Sequence, residues 1–343
     1  MKAVFINSHG DMDVLNWGEV DDPSKLKENQ VLIEIRASSI NHLDIWVRKG
    51  LPGMPVSLPL ILGSDASGTI VEVGSQVHNF QTGDDVVIQP GTFCGNCHHC
   101  KERKENYCSE YGILGETENG TLAEYVILDP VNIHKKPEHL SFPDAASMQL
   151  VFMTAYQMLI IRAKLQPNET VLIYGGSSGI GSAAIQISRD LGANVIATSG
   201  SDLKCEFSKK LGAHHVVNHN EGNWKDEIKL ITEMNGINVV FEHVGSATWK
   251  ESIRLLSKGG RLVTCGATTG ADVDINLAHL FMKQQSILGS TMSNISAFKK
   301  VMAKINQKQY LPNVDKIFAM KDIREAHNYI ENRQQMGKVV LLP

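Results

Sequence analysis

Four of the six cysteines of this 343-residue chain fall between positions 94 and 108, as Cys94-Gly-Asn-Cys97-His-His-Cys100 followed by Cys108 eight residues on. Zinc prefers tetrahedral thiolate ligation, and two-residue spacings let neighbouring sulfurs face one ion. Four cysteines close the coordination sphere and leave no position for a substrate. The chemistry expected is therefore structural: one zinc holding the loop 94–108, at on the order of 10 kcal/mol. An iron–sulfur cluster is the alternative metal, though nothing else in the chain suggests electron transfer, and unliganded thiols are the other alternative. His98 and His99 are bystanders to a ligand set that is already complete. The cluster is too tight for a disulfide framework in a large chain kept reduced.

The second stretch able to do chemistry is residues 170–181, TVLIYGGSSGIG. A short apolar run, Val171 to Tyr174, predicts a strand buried on both faces. Gly175, Gly176, Gly179 and Gly181 follow, with Ser177, Ser178 and Ile180 between them. Ile180, Ala184, Ile187 and Leu191 then recur at helical spacing. Strand, glycine turn and helix are the context of a phosphate cradle. Glycines let the backbone approach a pyrophosphate, and the helix start offers unpaired N–H groups. Ser177 and Ser178 add hydrogen-bond donors.

The elements that must position these stretches differ along the chain. Up to about residue 142 the signals are short and β-like, at residues 2–6, 31–36, 69–73, 85–89 and 122–127, with Pro52, Pro55 and Pro59 breaking the chain between the second and third. That pattern predicts an irregular, barrel-like β domain. A helical stretch over 145–161 leads into the glycine turn. Beyond it, strands (195–198, 215–217, 239–242, 261–265) alternate with amphipathic helices. Alternation of this kind predicts right-handed βαβ units in a parallel doubly wound sheet. Helices near 295–305 and 322–331 and a strand over 338–342 return the chain to the first domain.

Composition excludes other classes. The net charge of −4 gives no reason to expect nucleic acid as a partner. No run of eighteen apolar residues offers a membrane span, and the start MKAVFINSHG lacks the pattern of a secretory signal. A cytoplasmic enzyme with a small-molecule substrate is expected.

A β domain with a four-cysteine lobe, a nucleotide-binding domain and a short return resembles the medium-chain dehydrogenase/reductase superfamily over essentially the whole chain. The residues that carry the resemblance are the four cysteines, Gly63-Ser-Asp-Ala-Ser-Gly68, Thr154-Ala-Tyr156, the glycine turn and the closing Gly337-Lys-Val-Val-Leu. The resemblance implies an α/β fold: a GroES-like β-barrel catalytic domain (1–150 and 290–343) plus a Rossmann doubly wound parallel sheet (151–289). The cysteine lobe resembles zinc-binding alcohol dehydrogenases, whereas Asn41-His-Leu-Asp44 resembles quinone oxidoreductases. The positions matching the catalytic-zinc ligands of the alcohol dehydrogenases are Asn41, Ser64 and Leu150, and the hydroxyl relay position is Leu43. A catalytic zinc lowers the pKa of bound water by about nine units, an upper bound of roughly 12 kcal/mol of alkoxide stabilisation. Without it, hydride transfer to a quinone, enone or aldehyde is the easier chemistry, with Asn41 orienting the substrate oxygen or the nicotinamide ribose. A shifted metal on His42 and Asp65 is the escape from this reading. Asp44 is expected either to touch substrate or to pair within the domain, with backbone or with an arginine such as Arg48. Trp46 is a candidate wall of the substrate cleft by the resemblance to quinone reductases, and equally a candidate core residue.

A site for NAD usually carries an acid at the tip of the second strand. Here that strand ends Ala197-Thr-Ser-Gly-Ser201, followed by Asp202-Leu-Lys204. Ser199, Ser201 and Lys204 could receive a 2′-phosphate, so NADPH is the expected carrier, with NADH possible in the absence of an arginine. Ser201 also fits a helix N-cap. Further cofactor contacts are expected from Thr154, from His243, Val244 and Gly245, from Gly266 and Ala267, and from Ser290 and Thr291. The apolar edge 286–291 predicts a homodimer or homotetramer. The competing readings are an alcohol dehydrogenase with a relocated or absent metal, and a nucleotide-binding protein with a structural or regulatory role.

Overall fold

The computed structural model describes residues 1–50 and 56–343; Pro52 and Pro55 lie outside the described residues. The chain divides into two compact units. One comprises Met1–Leu150, Asn294–Asn306 and Leu311–Pro343, and the other Val151–Ser293 with Gln307–Tyr310. No described helix is long and apolar enough to cross a membrane.

The first unit begins with β1 (Lys2–Ile6), β2 (Asn16–Glu19), β3 (Val31–Ile40), helix α1 (His42–Lys49), β4 (Leu60–Ile61), β5 (Asp65–Val73) and β6 (Asp85–Ile88). The cysteine lobe follows, with β7 (Gly91–Thr92), α2 (His98–Lys101) and β8 (Gly112–Ile113), and then β9 (Tyr125–Leu128), β10 (Ile133–Lys135) and α3 (Phe142–Ala146). In β3, Val31, Ile33 and Ile35 alternate with more exposed neighbours and are no more than 2% exposed. Each contributes roughly 1.5–3 kcal/mol of burial. Their cluster takes in Val4, Ile70, Val86 and Leu122. The strand expected over 122–127 begins only at Tyr125. Leu122 sits earlier, between two edges: it accepts from the Val4 amide (2.7 Å) and donates to Leu62 (2.9 Å).

Helix α4 (Gln149–Tyr156) opens the second part of the chain and passes into a π-helical segment, Gln157–Arg162. The single helix expected over 145–161 is therefore interrupted. Ser147 turns its hydroxyl back onto the Asp144 carbonyl (2.7 Å), ending α3, a local competition common for serine.

The second unit continues with β11 (Thr170–Ile173), α5 (Gly179–Asp190), β12 (Asn194–Ser199), α6 (Asp202–Lys210), β13 (His215–Asn218) and α7 (Trp224–Ile231). It is completed by β14 (Ile237–Glu242), α8 (Ser246–Leu255), β15 (Leu256–Thr264), α9 (Leu277–Met282) and β16 (Ser286–Gly289). The strands pair in the order β13-β12-β11-β14-β15-β16, and every pair is parallel. The order reverses beside β11, the switch point where a doubly wound sheet opens its ligand crevice. Leu172 and Val240 form its core with Trp249 and Leu262.

The chain then returns through α10 (Ile295–Asn306), β17 (Val314–Ala319), α11 (Ile323–Glu331) and β18 (Lys338–Leu342). Strand β18 lies antiparallel to β3 and parallel to β17, within a seven-stranded sheet ordered β10-β6-β5-β3-β18-β17, with β9 also on β3. This is how residues 338–342 come to lie beside residues 38–40.

Candidate functional site

In the second unit the glycine turn joins the buried end of β11 to α5. Ser178 is the N-cap of α5, its hydroxyl accepting from the Gly181 amide at 3.0 Å. A Cβ on Gly181 would stand 2.1 Å from the Gly175 carbonyl oxygen, so only glycine lets the helix start pack so closely on the turn. Ile180 and Gly179 are half-buried beside it, Gly176 and Ser177 are buried, and Gly175 is partly open.

The loops after β14 and β15 flank the same switch point. The buried Glu242 carboxylate accepts from the amides of Val244 (2.6 Å) and Gly245 (3.1 Å) and from the hydroxyls of Thr248 (2.9 Å) and Ser252 (2.9 Å). His243 bonds the Tyr174 carbonyl through Nε2 at 2.9 Å. Thr269 donates its amide to the Val244 carbonyl (2.7 Å), tying the two loops together beside Gly266 and Ala267. Gly245 has a φ of +95°, and a Cβ there would lie 2.4 Å from the Gly270 oxygen.

Two of the expected cofactor residues carry an orphaned polar atom. Thr154 Oγ1 and Ser290 Oγ are buried and have no hydrogen-bond partner among the described residues. Buried hydroxyls are normally satisfied, so these fit a group supplied by a ligand. Thr291 is exposed. At the tip of β12 the expectation for Ser199 is corrected. Its side chain is 1% exposed and bonds the Ser208 hydroxyl at 3.0 Å, so it does not face a phosphate. Ser201 caps α6, accepting from the Lys204 amide at 3.4 Å. No carboxylate stands at the strand tip itself. Asp202, in the first turn of α6, accepts from Asn218 at 3.1 Å. The residues present fit a dinucleotide.

In the first unit, Asn41 follows β3 and stands at the N-cap of α1. Its side-chain Nδ2 donates to Asp65 Oδ2 at 2.9 Å, and its Oδ1 accepts from Lys338 Nζ at 2.5 Å. Lys338 Nζ also reaches Asp65 Oδ2 at 3.2 Å, as does the Ser39 hydroxyl. The other Asp65 oxygen accepts from the Leu150 amide at 2.8 Å. Asp65 is 0% exposed, Lys338 5% and Asn41 6%. Burial pushes the Lys338 ammonium below its ordinary pKa, and the adjacent Asp65 carboxylate pushes back. Sequence reasoning misses this cluster, because Lys338 stands there only as part of the closing motif Gly337-Lys-Val-Val-Leu. The one available signal is a lysine at the head of an apolar strand, where a charge needs a partner.

Of the two expectations for Asp44, the structure shows the partner within the domain, and that partner is backbone. Asp44 is fully buried, and its oxygens accept from the amides of Asn41 (2.7 Å) and Gly63 (2.9 Å). Burial pushes its pKa up to about 6, against the pull of those two amides and of Lys338. It fixes the start of α1 and touches no outward face. Arg48 is not its partner. Arg48 donates to both Glu331 oxygens at 3.1 Å and to His327 Nδ1 at 3.3 Å. Ser64 spends its hydroxyl on the Leu114 carbonyl at 2.8 Å. His42 stacks edge-on with Trp46, centroids 5.2 Å apart, and both are half-buried.

The cysteine lobe brings its four sulfurs together. Cys97 and Cys100 are 3.5 Å apart, Cys108 and Cys94 3.5 Å, and Cys94 and Cys100 3.9 Å. A tetrahedron of sulfurs about 2.3 Å from zinc has edges of about 3.8 Å, so the set fits zinc. The amides of Asn96 and Cys97 hold the Cys94 thiol down at about 7. Among the described residues this is the one group of three or more His, Cys, Asp or Glu close enough to share a metal.

A profile of the zinc-binding dehydrogenase family matches residues 179–307, and one of the alcohol dehydrogenase GroES-like domain matches residues 27–138. A zinc-type alcohol dehydrogenase-like protein of Schizosaccharomyces pombe is 32% identical over 99% of this chain and 99% of its own. The chain belongs to the medium-chain dehydrogenase/reductase superfamily. Three further similar proteins illustrate its range. Human quinone oxidoreductase is 29% identical over 100% of this chain and 98% of its own. A crystal structure of an NAD-dependent alcohol dehydrogenase superposes with a TM-score of 0.95 at 38% identity, covering 100% of both chains. A crotonyl-CoA carboxylase/reductase in complex with NADP superposes at 0.90 and 26% identity, over 100% of this chain and 94% of that one. As a member of the superfamily the protein is an oxidoreductase, with a GroES-like domain and a parallel Rossmann-type sheet.

Proposed function

We propose that this member of the superfamily is an NADPH-dependent reductase of quinones, enones or aldehydes that works without a catalytic zinc. The observation that carries the reading is the Asn41–Asp65–Lys338 cluster. At the three positions that the resemblance pairs with zinc ligands, Asn41 and Ser64 have their polar groups bonded inside the unit, and Leu150 has no ligand atom in its side chain. The local cation is an ammonium that cannot accept an alkoxide as a Lewis acid does. The carrier, when bound, supplies a hydride. The chain's own part is to hold and orient. Thr154 and Ser290 offer their unpartnered hydroxyls to the cofactor, the glycine turn and the α5 start receive its pyrophosphate, and Ser201 and Lys204 face the 2′-phosphate. Asn41 donates to the substrate oxygen as negative charge develops there, an effect commonly worth about 3 kcal/mol. A proton from solvent completes the reduction.

Cys94, Cys97, Cys100 and Cys108 would hold one zinc as a structural ion. The reducing cytosol, where thiols stay free, suits that set. The relative that reduces crotonyl-CoA, an unsaturated thioester, and the neighbour solved with NADP support this chemistry. The neighbour named NAD-dependent alcohol dehydrogenase favours the second reading, alcohol oxidation.

One assay separates them. The purified protein is expected to contain one zinc per chain and to oxidise NADPH with a simple benzoquinone. Lys204→Ala should raise the KM for NADPH about tenfold and leave that for NADH nearly unchanged. Two zincs with alcohol-dependent cofactor reduction would establish the second reading. NADPH binding without turnover on any acceptor would leave the structural or regulatory role.

A further inference from the structure

The buried cluster has a property that the proposed role of Asn41 does not require. An ammonium can only donate hydrogen bonds and an ionised carboxylate can only accept them. Lys338 therefore binds the oxygen end of the Asn41 amide, and Asp65 binds the nitrogen end. Flipping the amide would set Nδ2 against the ammonium and Oδ1 against the carboxylate, losing both bonds. Asn41 Nδ2 carries two hydrogens, and Asp65 takes one. The other has no acceptor among the described residues; Asn41 keeps 6% of its surface and Lys338 5%, while Asp65 is fully enclosed. Asp65 is itself held, by the Ser39 hydroxyl and the Leu150 amide. The lock thus rests on a lysine and a carboxylate fixed by β18, β3 and β5.

We propose that Lys338 and Asp65 are positioning residues for the reduction, fixing the Asn41 amide so that its free N–H is always the group offered to the carbonyl oxygen of the acceptor. This rests on the reading of Asn41 as the donor to substrate. Neither residue touches substrate; both act through Asn41.

The experiment is a double-mutant cycle on the full chain with NADPH and benzoquinone. Replacing the charged pair together, Lys338→Met with Asp65→Asn, keeps the buried charge balanced. The expected result is a fall of at least tenfold in kcat, with the KM for NADPH within twofold of the parent. Asn41→Ala should lose a similar factor. In the Asn41→Ala background the charge-pair change should then cost less than a further twofold, because nothing is left to orient. If both backgrounds lose the same factor, the residues act independently of Asn41 and the positioning role is overturned while the donor role of Asn41 stands. If Asn41→Ala leaves kcat unchanged, the donor reading itself fails. Should the double variant not fold, Lys338→Gln with Asp65→Asn also removes both charges, with polar groups of similar size, and gives the same test. A second readout needs no turnover. With asparagine-selective 15N labelling, the Asn41 side chain of the parent should show one exchange-protected and one unprotected N–H. The charge-pair variant should lose that asymmetry; its persistence would overturn the proposal.

Discussion

At the scale of single residues, buried charge decides what this protein can do. Arg48, His327 and Glu331 form a second enclosed group, in which His327 Nε2 has no partner among the described residues. Burial first, and the Arg48 charge second, push His327 down to about 3 from an ordinary 6.5. A histidine whose folded pKa is depressed binds its proton more tightly in the unfolded chain. The stability it confers is complete above the unfolded value and is lost as pH falls from about 6.5 toward 3. A displacement of about 3.5 units corresponds to at most about 5 kcal/mol. His327→Gln should flatten the acid limb of the unfolding free energy, measured by urea titration between pH 7 and 4. A limb unchanged by the substitution would mean that another group carries the acid sensitivity.

At the scale of elements, the cysteine lobe is fastened to the returning chain. The buried Glu105 side chain accepts from the Ile295 amide at the head of α10, at 3.2 Å. Removing zinc with a strong chelator should open the lobe and release that contact. The expected signature is faster hydrogen exchange at residues 94–108 and at the first turn of α10, with a melting temperature lower by roughly 5–10 °C. Unchanged exchange in metal-free protein would show that the lobe holds without its ion. Much of this architecture was legible from local patterns. The strand, glycine turn and helix around residue 175 are contiguous, and the cysteine spacing carries its own geometry. Two things were not legible. Ser199 faces inward because β12 is buried on both faces, and such a strand has no alternation from which its inward side could be read. The contact between Lys338 and Asn41 joins residues 297 positions apart; it depends on the register of β18 against β3, which no local pattern specifies.

At the scale of the whole molecule, assembly is the open property. Strand β16 is the last in its sheet. Close before it in sequence, α9 exposes Leu277 (67%), Phe281 (69%) and Met282 (71%). An unpaired edge with apolar neighbours is a place where copies associate. We expect a homodimer or homotetramer by light scattering, and Leu277→Glu with Phe281→Glu should shift it toward monomer. A parent that is already monomeric at micromolar concentration would remove this expectation.

The ammonium in the barrel also limits how the protein could be redesigned. Installing cysteine and histidine ligands at positions 41, 64 and 150 would recreate the pattern of a zinc-type alcohol dehydrogenase on paper. It would also leave Lys338 among the new ligands, a fixed positive charge repelling the incoming divalent ion in a medium that screens poorly. Conversion to a metalloenzyme therefore requires a fourth substitution, at the far end of the sequence, before the first three can take effect.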